Sequence, residues 1–122
     1  MYRLRKRVEI DSSHYLPAHP GKCRRLHGHR WVFEVEVTAE DVDETTGMVV
    51  DFGDLAAPIK ALDHRVINEL DPFTRIPPTA ENLAKWAVEE VWGLAPTALS
   101  VTVTVWETPS SSVSWTKRRD DR

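Results

Sequence analysis

Residues 23–37 read CRRLHGHRWVFEVEV, so that two histidines separated by one glycine stand at the head of an apolar-rich run. Side chains alternate between the two faces of a β-strand. His27 and His29 therefore share the face of Trp31 and of the apolar residues after it, whereas the glutamates fall on the other face. The pattern predicts a strand with one covered face, on which both imidazoles are placed to bind a single metal ion.

Two further segments repeat this arrangement of an apolar row that ends in a polar group. In residues 8–14 the row leads through a serine to His14, and in residues 99–107 it ends at Glu107. We expect the three rows to converge at one end of a sheet, where they would form a pocket of three imidazoles and one carboxylate. A β-bulge in any of these strands would break the alternation on which this expectation depends.

The bulk properties are those of an ordinary globular protein. The 122 residues predict a single domain over 1–122. Hydrophobic residues make up 41%, charged residues 29%, and the net charge is −3, which gives no compositional reason to expect nucleic acid or an anionic membrane as a partner. The sequence shows no long apolar run and no charged-then-apolar leader, so we expect no membrane span, no signal peptide and a cytoplasmic location.

Cys23 is the single cysteine, which excludes an intrachain disulfide framework as the source of stability. Its neighbours Lys22, Arg24 and Arg25 form a polar and basic setting that favours a reactive thiol over an inert core cysteine. The thiol could act as a nucleophile or base. It could instead be the fourth ligand of a closed, structural zinc site, and the spacing leaves both possibilities open.

Strands are predicted over residues 2–12, 30–39, 98–107 and 112–117. The first two pair as a hairpin across a long loop, residues 13–29, and loops of this length in compact domains tend to be functional. The charged end of the chain, residues 117–122, is expected to be frayed.

Two helices are predicted between the second and third strands. The first should begin near Asp51 or Asp54, both good N-cap residues, and run through Leu62, although Pro58 is unfavourable in its interior. The second should begin after its N-cap Thr79. Its tryptophans are expected to pack, because the apolar residues recur at helical spacing. This stripe consists of Leu83, Trp86, Ala87, Val91 and Leu94.

The order strand, strand, helix, helix, strand, strand predicts an α+β fold, in which a four-stranded antiparallel sheet carries both helices on one face. The opposite face is polar. Such a face is either solvated or lines the lumen of a larger assembly.

Three imidazoles are ligands that suit Zn²⁺, although they also accept other divalent ions. Three protein ligands leave a coordination position open for water or substrate, which is the pattern of a catalytic site.

Asp63 and His64 form the remaining pair of candidate functional residues. Adjacent residues on a helix do not face each other, so the pair would act at a helix end or with partners elsewhere. A histidine stabilised by the dipole at a helix terminus is the alternative.

Six motifs, which cover nearly the whole chain, together resemble the 6-pyruvoyltetrahydropterin synthase superfamily. They are Ser13-His14-x-Leu16, Cys23-x-x-x-His27-Gly28-His29, Asp51-Phe52-x-x-Leu55, Leu62-Asp63-His64-x-x-x-Asn68, Pro78-Thr79-x-Glu81-Asn82-Leu83-Ala84 and Val105-x-Glu107-Thr108. The short interval between the cysteine and the His-Gly-His motif resembles the 6-carboxy-5,6,7,8-tetrahydropterin synthase branch, which serves queuosine and other 7-deazapurine pathways.

This resemblance implies the tunnelling fold (T-fold), in which three subunits close their sheets into a barrel and two trimers stack into a hexamer. The active sites would lie between subunits. The implied activity is that of a lyase without a redox cofactor. It would convert the small-molecule substrate 7,8-dihydroneopterin triphosphate into 6-carboxytetrahydropterin, acetaldehyde and triphosphate.

The resemblance also implies roles for individual residues. Cys23 would be the proton-abstracting base, and Asp63 and His64 would form a proton relay that meets it across a subunit boundary. Glu107 would anchor the guanidine-like edge of the pterin, assisted by Thr79. One zinc ion per subunit would be held by His14, His27 and His29.

Three positions depart from the family pattern, namely Ile10, Tyr15 and Trp106, and they bear on details of substrate binding. The residues leave other functions open. The chain could be the pyruvoyl-forming synthase or another lyase that cleaves a pterin side chain. A protein of a different class, a non-catalytic binding module whose structural zinc is closed by Cys23, would carry the same ligands.

Overall fold

The computed structural model describes residues 1–120. Its two helices lie between the second and third of four strands, which confirms the predicted α+β class and the ββααββ order. Two short 3-10 turns, Lys22–Arg24 and Ile67–Glu69, lie in the connections. The elements are β1 (Tyr2–His14), β2 (His27–Ala39), α1 (Phe52–Lys60), α2 (Ala80–Leu94), β3 (Ser100–Thr108) and β4 (Ser111–Arg118).

The four strands form one antiparallel sheet in the order β1-β2-β3-β4. The hairpin of β1 and β2 is confirmed, but both strands are longer than predicted at their loop ends. Pairing continues until His14 lies opposite His27, so the connecting loop shortens to residues 15–26. These histidines therefore belong to the sheet, whose backbone hydrogen bonds restrict where their side chains can lie.

The core lies on one face of the sheet, as the alternation in the sequence predicts. Both helices cover this face, with α1 packed against β1 and α2 packed against β3 and β4. The opposite face is polar, with an ion pair between Arg7 and Glu9 at 2.9 Å and a hydroxyl pair between Thr102 and Thr116 at 2.8 Å. Buried residues of the inner face include Trp31, Phe33, Val35, Val37, Val101, Val103 and Val105.

Helix α1 begins where the sequence predicts but ends earlier. Asp51 is its N-cap, and the carboxylate accepts a hydrogen bond from the backbone N–H of Gly53 at 2.6 Å. The helix stops at Lys60, so the prediction that it runs through Leu62 is wrong. Pro58 lies in the last turn, where it lacks a backbone N–H and weakens the hydrogen bonding. Leu62 is nevertheless buried, in the turn that follows the helix.

Helix α2 begins after Thr79, whose hydroxyl accepts a hydrogen bond from the backbone N–H of Asn82 at 3.2 Å. Most of the predicted apolar stripe is buried, and Trp86 packs edge to face on Phe73 with ring centroids 5.6 Å apart. The prediction is wrong for Leu94, which is 44% exposed in the last turn. Leu94 is also the last residue of the helix.

The predicted fraying from residue 117 onward is wrong for residues 117–119. Strand β4 continues to Arg118. The guanidinium group of Arg119 then donates hydrogen bonds to the carbonyls of Ala98 at 3.1 Å and Pro96 at 2.9 Å, and lies over the Trp92 ring at 4.2 Å. Residues 121 and 122, part of the same prediction, lie outside the described residues.

Neither helix of the described chain is long and apolar enough to cross a membrane. The longer one, α2, has 15 residues, whereas a span requires about 20 predominantly apolar residues.

Candidate metal centre and active site

Three histidines meet at one end of the sheet. His14 is the last residue of β1, His27 is the first residue of β2 directly opposite it, and His29 lies two residues further along β2. One ring nitrogen of each histidine lies within 4.8 Å of the corresponding nitrogens of the other two. The structure thus brings together three residues that the alternation placed on covered rows.

In His14 and His27 the ring nitrogen Nδ1 makes a hydrogen bond to the backbone, and Nε2 is the nitrogen left for a metal ion. Nδ1 of His14 lies 2.8 Å from the carbonyl of Pro78, and Nδ1 of His27 lies 2.6 Å from the carbonyl of Arg25. Because a carbonyl can only accept a hydrogen bond, each Nδ1 carries the proton, and each Nε2 keeps its lone pair. Outer hydrogen bonds of this kind are typical of metal-binding histidines.

Two of the inward nitrogens have no hydrogen-bond partner. Within residues 1–120, the buried side-chain nitrogens or oxygens without a partner are Nε2 of His14 and Nε2 of His29. An unpaired buried polar atom is costly, and native proteins rarely leave one without a functional reason. Two such atoms in the same group of imidazoles are explained if each donates its lone pair to a bound metal ion.

The electrostatics of the site favour neutral imidazoles. Burial lowers the pKa of His14 and of His29 below the usual value for histidine, and the neighbouring imidazole of His27 lowers them further. The Pro78 carbonyl beside His14 and the Glu107 carboxylate act in the opposite direction without reversing the shift. A neutral imidazole is the form that binds a metal ion.

Trp31 forms the floor of the histidine cluster. Its ring is fully buried, with centroids 5.0 Å from His14 and 5.2 Å from His29 in edge-to-face contacts. Its indole N–H donates a hydrogen bond to the carbonyl of Ser12 at 3.2 Å. A buried aromatic ring with a satisfied N–H restricts the orientations that the two imidazoles can adopt.

Glu107 reaches the same cluster from β3. Its Oε1 atom lies 3.6 Å from Nε2 of His29. The pairing of β3 with β4 shifts register between Trp106 and Thr108, so Glu107 lies at an irregularity of the strand. Despite this irregularity, the Glu107 carboxylate still lies next to the histidine cluster.

Cys23 lies in the 3-10 turn of the β1–β2 loop and is partly buried. Its carbonyl accepts a hydrogen bond from the backbone N–H of Leu16 at 2.8 Å, which ties the turn to the residues after β1. In the described part of the chain, the group of close ligand atoms contains the three histidines without Cys23. The chain therefore offers three protein ligands, an arrangement that leaves a coordination position open.

Asp63 and His64 follow α1 in a turn and do not lie on the helix. His64 has a positive φ of 58°, and its ring nitrogen Nδ1 lies 3.0 Å from the Asp63 carboxylate. That carboxylate also accepts a hydrogen bond from the backbone N–H of Asp11 at 2.8 Å, which holds the pKa of Asp63 below its usual range. The His64 side chain is 78% exposed, so its ring is accessible from outside the chain.

Thr79 lies directly after the proline that receives the His14 hydrogen bond. Its hydroxyl caps α2, and the side chain is only partly buried. The cap uses the hydroxyl oxygen as an acceptor, which leaves the O–H free to donate.

The sequence patterns did not identify three contacts near the site, namely those of Pro78 with His14, of Asn68 with Tyr15 and of Asn82 with Pro77. Asn68, Pro78 and Asn82 each occur within one of the quoted motifs, yet none of them lies on an apolar row. The one available signal was the position of Asn82, three residues after an N-cap, where polar side chains often reach back. The alternation of a strand cannot identify a residue that acts from a distant turn.

Comparison with known proteins agrees with this geometry. A protein of Synechocystis sp. named 6-carboxy-5,6,7,8-tetrahydropterin synthase is 38% identical over 70% of this chain and 71% of its own. A protein of Rickettsia conorii with the same name is 33% identical over 75% of this chain and 81% of its own. The solved structure of 6-pyruvoyl tetrahydropterin synthase from Caenorhabditis elegans has a TM-score of 0.73 and 25% identity, covering 93% of this chain and 94% of the other. The sequence profile of the 6-pyruvoyl tetrahydropterin synthase family matches residues 3–118. The chain therefore belongs to the 6-pyruvoyl tetrahydropterin synthase family.

Proposed function

We propose that the protein is a zinc-dependent 6-carboxy-5,6,7,8-tetrahydropterin synthase. It would act as a lyase that converts 7,8-dihydroneopterin triphosphate into 6-carboxytetrahydropterin, acetaldehyde and triphosphate. The observation that carries the proposal is the cluster of three imidazoles, in which the buried Nε2 atoms of His14 and His29 have no hydrogen-bond partner. The names of the two relatives support the choice of branch.

His14, His27 and His29 would hold one Zn²⁺ per subunit, and their close ligand nitrogens support this assignment. The bound ion would supply Lewis acidity to the side-chain oxygens of the substrate, which acidifies the adjacent C–H bonds. The chain itself would provide orientation, because each Nδ1–H of the first two histidines is held by a carbonyl.

Cys23 would remove a proton from the substrate side chain, and Asp63 and His64 would return protons as a relay. The Asp63 carboxylate holds the Nδ1–H of His64, which leaves Nε2 as the nitrogen that exchanges protons. The exposure of His64 supports a relay that acts on the thiol of a partner subunit.

Glu107 would bind the guanidine-like edge of the pterin, because its carboxylate can accept two parallel N–H donors. Its distance from His29 supports this role, since the carboxylate borders the metal ligands without being one of them. Thr79 would assist from the start of α2, where backbone N–H groups and a hydroxyl donor lie close together.

The proposal includes the setting of the enzyme. The chain would act as a single domain over residues 1–122, in the cytoplasm, as a hexamer of two stacked trimers with sites between subunits. The uncovered polar face of the sheet would line the barrel of each trimer. Neither nucleic acid nor membrane would be a partner, and the product would feed queuosine or another 7-deazapurine pathway.

The second candidate is the pyruvoyl-forming synthase, which the similarity to the C. elegans structure favours. The two candidates share the fold and the ligands and differ in their product. A module with a closed structural zinc would instead predict no reaction, and the ligand group without Cys23 argues against it.

The deciding experiment is mass spectrometry of the products after incubation of the zinc-loaded protein with 7,8-dihydroneopterin triphosphate. Formation of 6-carboxytetrahydropterin with acetaldehyde is the expected result. Pyruvoyltetrahydropterin or a hydroxymethylpterin would move the protein to another branch of the family. Unchanged substrate would contradict the assignment of a lyase.

A further inference from the structure

We propose that Asn68 and Asn82 are positioning residues for His14, and that together they fix the direction of its free ring nitrogen. Asn68 hydrogen-bonds to the backbone of the residue after His14. Asn82 hydrogen-bonds to the carbonyl of Pro77, which precedes the Pro78 carbonyl that accepts the hydrogen bond of the His14 ring. The inference rests on the metal site of the proposed function. It adds two side chains that lie outside the ligand group and outside the relay.

His14 needs such support because of where it lies. It is fully buried at the last position of β1, so the ladder with β2 ends at its own residue. Its ring makes one hydrogen bond, from Nδ1 to the carbonyl of Pro78 at 2.8 Å. The direction of Nε2 therefore depends on two things, the backbone at the end of β1 and the position of that carbonyl.

Asn68 supplies the first support. Its Oδ1 accepts a hydrogen bond from the backbone N–H of Tyr15 at 2.9 Å, and its Nδ2 donates to the carbonyl of Tyr15 at 2.8 Å. One side chain thus satisfies both backbone groups of the residue after His14, as a neighbouring strand would do. Asn68 is itself anchored, because the adjacent Ile67 is fully buried and Val66 forms a bridge to Ser13.

Asn82 supplies the second support. It occupies the first turn of α2, where its backbone N–H donates to the Thr79 hydroxyl. Its side-chain Nδ2 donates to the carbonyl of Pro77 at 2.9 Å. Because the ring of Pro78 fixes its φ angle, holding the carbonyl of Pro77 leaves only the ψ angle of Pro78 to change the direction of the Pro78 carbonyl.

Only an amide side chain can fill the first role. Asn68 uses a donor and an acceptor at the same time, and aspartate of the same size has no donor. An aspartate there would also place a carboxylate oxygen against the carbonyl of Tyr15. At Asn82 the aspartate would lose the bond to Pro77, yet it would still favour the helix because an acidic residue in the first turn interacts well with the helix dipole. Asn82→Asp therefore removes the contact with Pro77 without weakening the start of the helix.

The test compares the variants Asn68→Asp and Asn82→Asp with the wild-type protein and with Asp43→Ala. Asp43→Ala is the control for the loss of side-chain-to-backbone hydrogen bonds away from the site, because the Asp43 carboxylate accepts such bonds from the backbone N–H groups of Thr45 and Thr46, both at 2.9 Å. These contacts lie beyond the Ala39 end of β2, opposite to the histidine end. The measurements are the dissociation constant of Zn²⁺ by competition with a chromophoric chelator and the visible absorption spectrum of the Co²⁺-loaded protein.

We expect both asparagine variants to bind Zn²⁺ about 10- to 100-fold more weakly and to show an altered Co²⁺ spectrum. The control should stay within about twofold of the wild type, because its contacts lie at the opposite end of the sheet and distant sites act nearly independently. Unchanged affinities and spectra in folded variants would overturn the inference. If Asn68→Asp does not fold, Asn82→Asp decides the question alone.

The test distinguishes this inference from the proposed function. A wild-type protein that binds Zn²⁺ but leaves the substrate unchanged would contradict the function, and the inference would still be judged on the affinities. A wild-type protein with full turnover and variants of equal affinity would contradict only the inference. A wild-type protein that binds no divalent ion would overturn both.

Discussion

The Nε2 atom of His29 lies 3.6 Å from Oε1 of Glu107, which joins the ends of β2 and β3 at a single point. The distance is too long for a hydrogen bond and short enough for a strong electrostatic influence. The carboxylate opposes the effect of burial on the pKa of His29 without forming a hydrogen bond to its inward nitrogen. The proposed pterin anchor therefore borders the proposed metal ligands within one chain.

Glu107→Gln should weaken substrate binding while the zinc content stays unchanged. The substitution keeps the size of the side chain and removes a charged acceptor, and a hydrogen bond to a charged group contributes roughly 1.5–3 kcal/mol, or about 10- to 150-fold in affinity. The measurement is KM together with zinc analysis. Glu89→Gln is the control, since Glu89 lies on α2 and pairs with Lys117 of β4 at 3.0 Å, away from the histidines. Equal KM values for both variants would contradict the anchoring role.

Cys23→Ala should abolish turnover and leave the zinc content at one ion per subunit. The expectation follows from the ligand group, which contains three histidines without the thiol. Turnover and metal content are measured on the same preparation. Loss of zinc along with activity would show that Cys23 is a ligand and that the assignment as base is wrong.

His27→Ala should lower the affinity for Zn²⁺ far more than His19→Ala. His27 belongs to the cluster of close ring nitrogens, whereas the ring of His19 accepts a local hydrogen bond from the backbone N–H of Gly21. The loss of one of three ligands should be visible as substoichiometric zinc after dialysis against a weak chelator. The same zinc content in both variants would refute the proposed site.

The metal-free protein should lose stability as the pH falls below about 6.5. Burial lowers the pKa of His14 and His29 in the folded state, so in that range the unfolded chain binds protons that the folded chain does not. The free energy of unfolding should therefore decrease by at most about 1.4 kcal/mol per pH unit for each histidine. Chemical denaturation in the presence of a chelator, from pH 8 to pH 5, measures this slope.

Asp43 provides the control for this pH dependence. Its pKa is lowered in the folded state, chiefly by the hydrogen bonds from the backbone N–H groups of Thr46 and Thr45, so its contribution to stability is lost only in acid, below about pH 4. Asp43→Asn should leave the slope between pH 5 and 6.5 unchanged. A flat profile in the wild-type protein above pH 5 would contradict the account of the two histidines.

Trp31→Phe should destabilise the protein by about 1–3 kcal/mol, because it removes the indole N–H that satisfies the Ser12 carbonyl and leaves a buried gap. Trp115→Phe should have a much smaller effect, since Trp115 is 44% exposed on β4. Thermal and chemical denaturation of both variants measure the difference. Equal losses would show that the floor of the cluster is not a rigid part of the core.

Much of the fold could be predicted from local patterns. The alternation around Trp31 and the helical spacing around Leu83 depend only on neighbouring residues, and both patterns reappear in the structure. The errors concern ends of elements. The predicted helix extended to Leu62 and the predicted fraying began at residue 117, because neither prediction took account of the contacts that the neighbouring segments make.

By itself the sequence determined which side chains share a face, and hence that His14, His27, His29 and Glu107 lie on covered rows. Strand alternation is a property of the extended backbone of a single strand, so it can be read without knowledge of the rest of the fold. Only the tertiary structure decided how these residues are supported. The hydrogen bonds from His14 to Pro78 and from Asn68 to Tyr15 join residues 64 and 53 positions apart. Contacts of that range arise from how helices and turns pack on the sheet, and no local period of the sequence encodes them.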